Sequence, residues 1–72
     1  MKPEVQKDSL STSYYGQEIY VEAWQPEAGK AFVHLLQAGE HSDIEDPDCG
    51  EHDTLEQALH AGLRFATSLI DN

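Results

Sequence analysis

Basic residues are scarce in this chain. Lys2, Lys7, Lys30 and Arg64 face fourteen Asp and Glu, leaving a net charge of −10 over 72 residues. Proteins that grip nucleic acid or an anionic membrane take much of their affinity from neutralised phosphates, so their footprint is basic and clustered. Four scattered cations do not make such a footprint. Direct contact with DNA, RNA or anionic lipid is therefore not expected, and a basic protein is the macromolecule the charge admits. Cysteine is scarcer still, with Cys49 alone. No internal disulfide can form, and a solitary thiol suits a reducing, cytoplasmic setting. Long apolar runs are missing: nothing approaches the ~18 residues of a membrane span. The polar opening Met1-Lys2-Pro3-Glu4 does not read as a secretory leader either. Gly-rich phosphate loops and the G-x-S-x-G elbow are absent, which removes two common routes to catalysis.

What is present is unevenly distributed. Residues 40–53 hold Glu40, Asp43, Glu45, Asp46, Asp48, Glu51 and Asp53 with no Lys or Arg, so seven of the ten net charges sit in fourteen residues. Residues 1–12 are polar and aperiodic and read as a flexible N-terminal tail, leaving 13–72 as a single domain. Tyr14-Tyr15-Gly16 opens a β-prone region. From 17 to 25 the chain alternates, with Ile19, Val21 and Ala23 on one face and Tyr20, Glu22 and Trp24 on the other, the period of a strand. Pro26 ends it, and Glu27–Lys30 form a turn in which Gly29 can take a positive φ. Ala31–Gln37 form a second strand, antiparallel to the first. Strict alternation puts Ala31, Val33 and Leu35 on one face and Phe32, His34 and Leu36 on the other. A short third strand near His41–Glu45 would point Ile44 inward.

The last segment is helical. Leu55, Ala58, Leu59, Gly62, Phe65, Ala66, Leu69 and Ile70 recur at steps of three and four, one apolar stripe of an amphipathic helix. Asp53 is the expected N-cap, with Glu56 completing a capping box. Gly62 on that stripe costs about 1 kcal/mol against Ala mid-helix, which points to close approach of the sheet. The fold class is thus α+β: a small antiparallel sheet of two or three strands with one C-terminal helix packed on it.

Three constellations could carry chemistry. Aligning Gly50 with the glycine of an EF-hand loop places Pro47 and Cys49 where oxygen ligands are required, so that motif fails. Weak divalent-metal binding through Asp43, Asp46, Asp48 and Cys49 stays open as an alternative, and no resident metal or cofactor is expected. Cys49-Gly50-Glu51-His52 has a C-x-x-H spacing but no second pair to complete a zinc site. A Cys–His nucleophile would need a depressed thiol pKa, and an acidic loop works against the thiolate; an enzyme is not expected. The remaining candidate is a surface. If the helix covers the Ile19/Val21/Ala23 face, Tyr20, Trp24, Phe32 and Leu36 share the open face and form a contact for a second copy of the chain; the reverse assignment puts these large residues under the helix. The acidic loop, with Asp43, Glu45, Asp46, Asp48 and Glu51, would suit a basic partner.

Two resemblances follow from the motifs. Tyr14-x-Gly16-x-x-Ile19 together with Thr54-x-x-Gln57-Ala58-x-x-x-Gly62-x-x-x-Ala66-x-x-x-Ile70-Asp71 resembles small uncharacterised bacterial α+β proteins, a domain of unknown function. Asp53-Thr54-Leu55-Glu56-Gln57-Ala58-Leu59 resembles the segment that opens the helix in the N-terminal domain of HicB-like antitoxins. That second resemblance implies a sheet-and-helix fold that docks on a small basic toxin nuclease. Where that family carries Pro-Gly-Cys, this chain has Pro47-Asp48-Cys49. The combined expectation is a non-enzymatic interaction module, homodimeric or, alternatively, an antitoxin-like or nucleic-acid-mimicking inhibitor of a basic protein.

Overall fold

A computed structural model describes residues 5–71. Four strands in the order β1-β2-β3-β4 form one antiparallel sheet: β1 (Val5–Tyr14), β2 (Gln17–Pro26), β3 (Phe32–Ala38) and β4 (Ile44–Glu45). The helix α1 (Leu55–Asp71) packs across one face. The α+β class is as the sequence predicts, with the sheet larger by one long strand. Residues 5–12 of the expected tail are not a tail but most of β1, paired with β2 along its whole length from Val5↔Pro26 to Tyr14↔Gln17. Residues 1–4 of that segment lie outside the described residues. The hairpin turns on Tyr15 and Gly16, whose φ values of 50° and 75° are both positive. Two positive-φ residues match the right-handed strand twist in a two-residue connection. That turn lets a polar strand with little apolar pattern of its own be templated by β2.

The helix covers the Ile19/Val21/Ala23 face. These three, with Val33, Leu36 and Ala38 from β3 and Ala31 just before it, pack with Ala58, Leu59 and Ala66 from α1. Small residues at the contact let the helix sit close. A Cβ added to Gly62 would lie 2.5 Å from Val21 Cγ1 and 3.1 Å from Val33 Cγ2. The glycine is therefore where backbone meets sheet, and the helix-propensity cost of about 1 kcal/mol is accepted there.

One feature of β3 departs from simple alternation. Glu22 pairs with Leu35, but Ala23 pairs with Val33, so His34 is an extra residue in the ladder. A bulge of this kind turns the alternation of every residue beyond it. Leu36 consequently lies beneath the helix, fully buried, and not on the open face where strict alternation puts it. Leu35 takes the open-face position.

Two local expectations are also revised. The N-cap is Thr54: its Oγ1 accepts from the Gln57 amide at 3.1 Å, and Gln57 Oε1 accepts from the Asp53 amide at 3.1 Å. The Asp53 carboxylate is drawn away to pair with Lys30. In the β2–β3 turn the left-handed residue is Ala28, at φ 59°. Gly29 instead donates its amide to the Pro26 carbonyl at 3.0 Å, and an added Cβ there would meet Pro26 Cγ at 2.7 Å.

The acidic segment closes the sheet's far side. Ile44 and Glu45 pair with Leu36 and Leu35, and His52 bridges back to Ala31. Ile44 packs against the core, as its inward position in a short strand predicts. Among the described residues no helix is long and apolar enough to cross a membrane.

Candidate functional site: the open face of the sheet

Side chains that pair directly across antiparallel strands share a face. From the registers, the uncovered face holds Lys7 and Ser9 from β1, Tyr20, Glu22 and Trp24 from β2, Phe32, Leu35 and Gln37 from β3, and Glu45 from β4. His34 joins them and stacks on Trp24, ring centroids 3.7 Å apart at 19°. Tyr20, Trp24 and Phe32 thus share the uncovered face, one of the two assignments the alternation leaves open. Each is half-buried. Leu36 is not among them.

Glu22 organises the face. Tyr20 Oη donates to Glu22 Oε1 at 2.9 Å and Trp24 Nε1 donates to Glu22 Oε2 at 2.7 Å. Hydrogen bonds to an ionised carboxylate favour the ionised form. The bond from Trp24, then that from Tyr20, hold the Glu22 carboxyl below the usual range. The same carboxylate raises the Tyr20 phenol, first through its hydrogen bond. Lys7 Nζ reaches over the Trp24 ring, 4.5 Å from its centroid, a cation–π contact made from the β1 flank. His34 approaches from the β3 flank. Trp24 is thereby held by a carboxylate at its N–H and by basic side chains from both neighbouring strands.

The acidic loop is tied to this cluster. Asp46 donates its amide to the His34 carbonyl at 2.8 Å, and its Oδ1 lies 3.3 Å from His34 Nδ1. Glu45 projects from β4 onto the same face beside Leu35. The remaining loop acids are dispersed. Asp43 lines a groove with Ser11, Ser13, Tyr20 and His41, and Glu51 lines another with His60 and Arg64. Asp48 is exposed next to Cys49.

That dispersal bears on the metal alternative. Among the described residues no three His, Cys, Asp or Glu side chains are placed to hold a metal ion. Asp46 is engaged with His34, and Cys49 packs against the core. Burial pushes the Cys49 thiol up, and Asp48 adds to the effect. His52 sets its Nε2 2.8 Å from the Cys49 carbonyl oxygen, a bond that holds the loop and does not activate sulfur.

Lys7, Glu22, His34 and Leu35 were missed as site residues. Glu22 was legible, since it lies between Tyr20 and Trp24 in the same period-two row. His34 was legible too, on the Phe32 face by strict alternation, whereas Lys7 requires β1 and Leu35 requires the bulge, neither of which leaves a hydrophobic period to read. No family model matches the chain, and no curated protein or solved structure matches it either.

Proposed function

We propose that this chain is a non-enzymatic protein-interaction module, whose open sheet face receives a basic segment of another protein. The observation that carries the reading is the composition of that face. An aromatic and aliphatic centre of Tyr20, Trp24, Phe32 and Leu35 is bordered by Glu18, Glu45 and Asp46, with Glu22 inside it and Lys7 as the lone lysine. An apolar centre with a charged rim is the anatomy of protein interfaces, with the centre supplying affinity and the rim steering encounter. Carboxylates outnumber the lysine, so the complementary surface is cationic. Two such faces laid together would carry an excess of carboxylates over cations, which disfavours this face as a self-contact. The HicB-like resemblance points the same way, toward an acidic bacterial inhibitor seated on a small basic protein. A cytoplasmic setting suits the single reduced thiol.

Trp24 is the only tryptophan, so its fluorescence reports on the centre of the face. Titration with a Lys/Arg-rich amphipathic peptide should change Trp24 emission saturably. The affinity should fall at least tenfold between low salt and about 0.5 M, where screening extends over only a few Å. Phe32→Ser and Glu45→Lys should each weaken it. Peptide binding that leaves Trp24 silent, or that is lost only on replacing Asp43 and Asp48, would place the contact on the loop and overturn the reading.

A further inference from the structure

We infer that the free edge of β1 is a self-association surface, on which a second copy of this chain pairs antiparallel to extend the sheet. This edge is distinct from the open face and does not depend on it. Among the described residues β1 ends the sheet, with β2 on one side and nothing on the other. The opposite edge is closed along β3 by β4 and by the Ala31↔His52 bridge.

The outward-facing backbone groups can be named. Hydrogen-bonded pairs alternate along an antiparallel ladder. Tyr14 and Gln17 flank the two-residue turn and form such a pair. The even residues of β1 therefore bond to β2, and Val5, Lys7, Ser9, Ser11 and Ser13 direct N–H and C=O outward. Ser9 bears this out, for its amide is satisfied by the Asp8 carboxylate at 2.8 Å and not by β2. Described as Val5–Tyr14, the strand has no proline and pairs in continuous register. The devices that usually blunt a long edge are reduced to one charge pair.

Charge decides which occupant fits. β1 carries Lys7 and Asp8 and is neutral, in a chain of net charge −10. The acidic segment lies at the other end of the strand order. Joining two copies through β1 sets the two acidic segments about seven strand spacings apart, roughly 33 Å at ~4.8 Å each. That is several times the ~8 Å screening length at physiological ionic strength.

Register follows from the side chains. Antiparallel edge pairing keeps both helices on one side, so residues of like face must meet. Centring the pair on Leu10 sets Leu10 opposite Leu10 of the second copy and Asp8 opposite the Thr12 hydroxyl. Centring it on Ser9 would set Asp8 against Leu10. Leu10 already packs against the core as a half-buried residue, so the first register joins the two cores. In that register Lys7, Ser9, Ser11 and Ser13 exchange ladder hydrogen bonds, and Asp8 releases the Ser9 amide to do so.

Sedimentation equilibrium on the full chain should show a concentration-dependent mass reaching twice 8.0 kDa. Ser11→Pro removes an outward donor while sparing the β1–β2 ladder, so it should shift the dimer dissociation constant upward at least tenfold and leave the helical circular dichroism intact. Amide exchange on the unmodified chain gives a check that needs no variant: Lys7, Ser9, Ser11 and Ser13 amides should slow as concentration rises. A monomer at millimolar concentration, or a dimer with those four amides still in fast exchange, would overturn the inference. So would a dimer that survives Ser11→Pro but is lost in Trp24→Ala, which would assign self-contact to the open face.

Discussion

The two faces of the sheet are built from the same strands by the same alternation, yet they solve opposite problems. The covered face is assembled from Ile19, Val21, Val33 and Leu36 with Ala23, Ala31 and Ala38, and meets Ala58, Gly62 and Ala66 of the helix. Its side chains are small or aliphatic and its buried side chains are free of unsatisfied polar atoms among the described residues. The open face carries the bulky aromatics, and each polar tip there is answered by Glu22. Close approach of a helix backbone demands small residues, because interiors pack to crystal-like density. A face that must remain wet can hold larger, amphipathic groups whose polar ends are satisfied on the spot. Residue volume thus separates the face that stabilises the fold from the face offered to a partner.

The sharpest way to break that comparison uses two adjacent leucines. Leu36→Ala should cost about 2–5 kcal/mol, the usual range for a buried leucine. A domain of this size gains only about 3–5 kcal/mol from its core, so the variant should be largely unfolded. Leu35→Ala should cost well under about 1 kcal/mol, as a residue outside the core does. Urea midpoints measure both, and equal losses would contradict the bulge at His34.

Gly62→Ala is the next largest effect and tests the intimacy of the covered face. Helix propensity alone would stabilise it by about 1 kcal/mol. A Cβ 2.5 Å from Val21 Cγ1 forces the sheet or helix to shift, at a cost of about 1–3 kcal/mol for overpacking. The expected net result is a lower melting temperature, and a raised one would show that the helix does not rest on Val21.

At the helix start, Thr54→Ala should cost about 1 kcal/mol, measured by the same denaturation, while Asp53→Ala should cost less. Asp53 is exposed and spends its carboxylate on Lys30, and solvent screening leaves an exposed ion pair little to contribute. The reverse order would return the cap to Asp53.

The smallest effect concerns the open face. The folded pKa of Glu22 is depressed, so in the acidic range the unfolded chain binds that proton more tightly than the folded chain does. The resulting stability is present above the unfolded pKa and is lost as pH falls through the folded one. Glu22→Gln should flatten that acidic limb of the stability–pH curve while leaving the neutral-to-basic limb in place. An unchanged acidic limb would mean that Tyr20 and Trp24 do not hold the carboxylate.

The parts of the fold legible in the sequence were those with a strong local period. The helix stripe from Leu55 to Ile70, the β2 alternation and the Glu27–Lys30 reversal were all read from residue order, as were Tyr20, Trp24 and Phe32 on one face. The parts that escaped depend on a neighbour. β1 has Leu10 as its only aliphatic residue between Lys7 and Tyr14 and is a strand because β2 supplies its partner. The bulge depends on how β3 meets β2 at Ala23, and a histidine between Val33 and Leu35 gives no local sign of it. The displaced cap is similar: Asp53 has the right chemistry for an N-cap, and only the folded position of Lys30 removes it.

The bulge has a further consequence when insertions and deletions are considered. Val33↔Ala23 and Leu35↔Glu22 are consecutive rungs on β2, so deleting His34 would leave every other β3 residue with its present partner and face. The chain can be shortened at this point without a change of frame, because Val33, Leu35 and Leu36 already alternate across the sheet once His34 is taken out. The shortened chain should keep a cooperative melting transition while losing the ring stacked on Trp24 and the anchor for Asp46. In that sense His34 is a removable rung: the sheet can be closed without it, and what it adds is the connection between the acidic loop and the tryptophan.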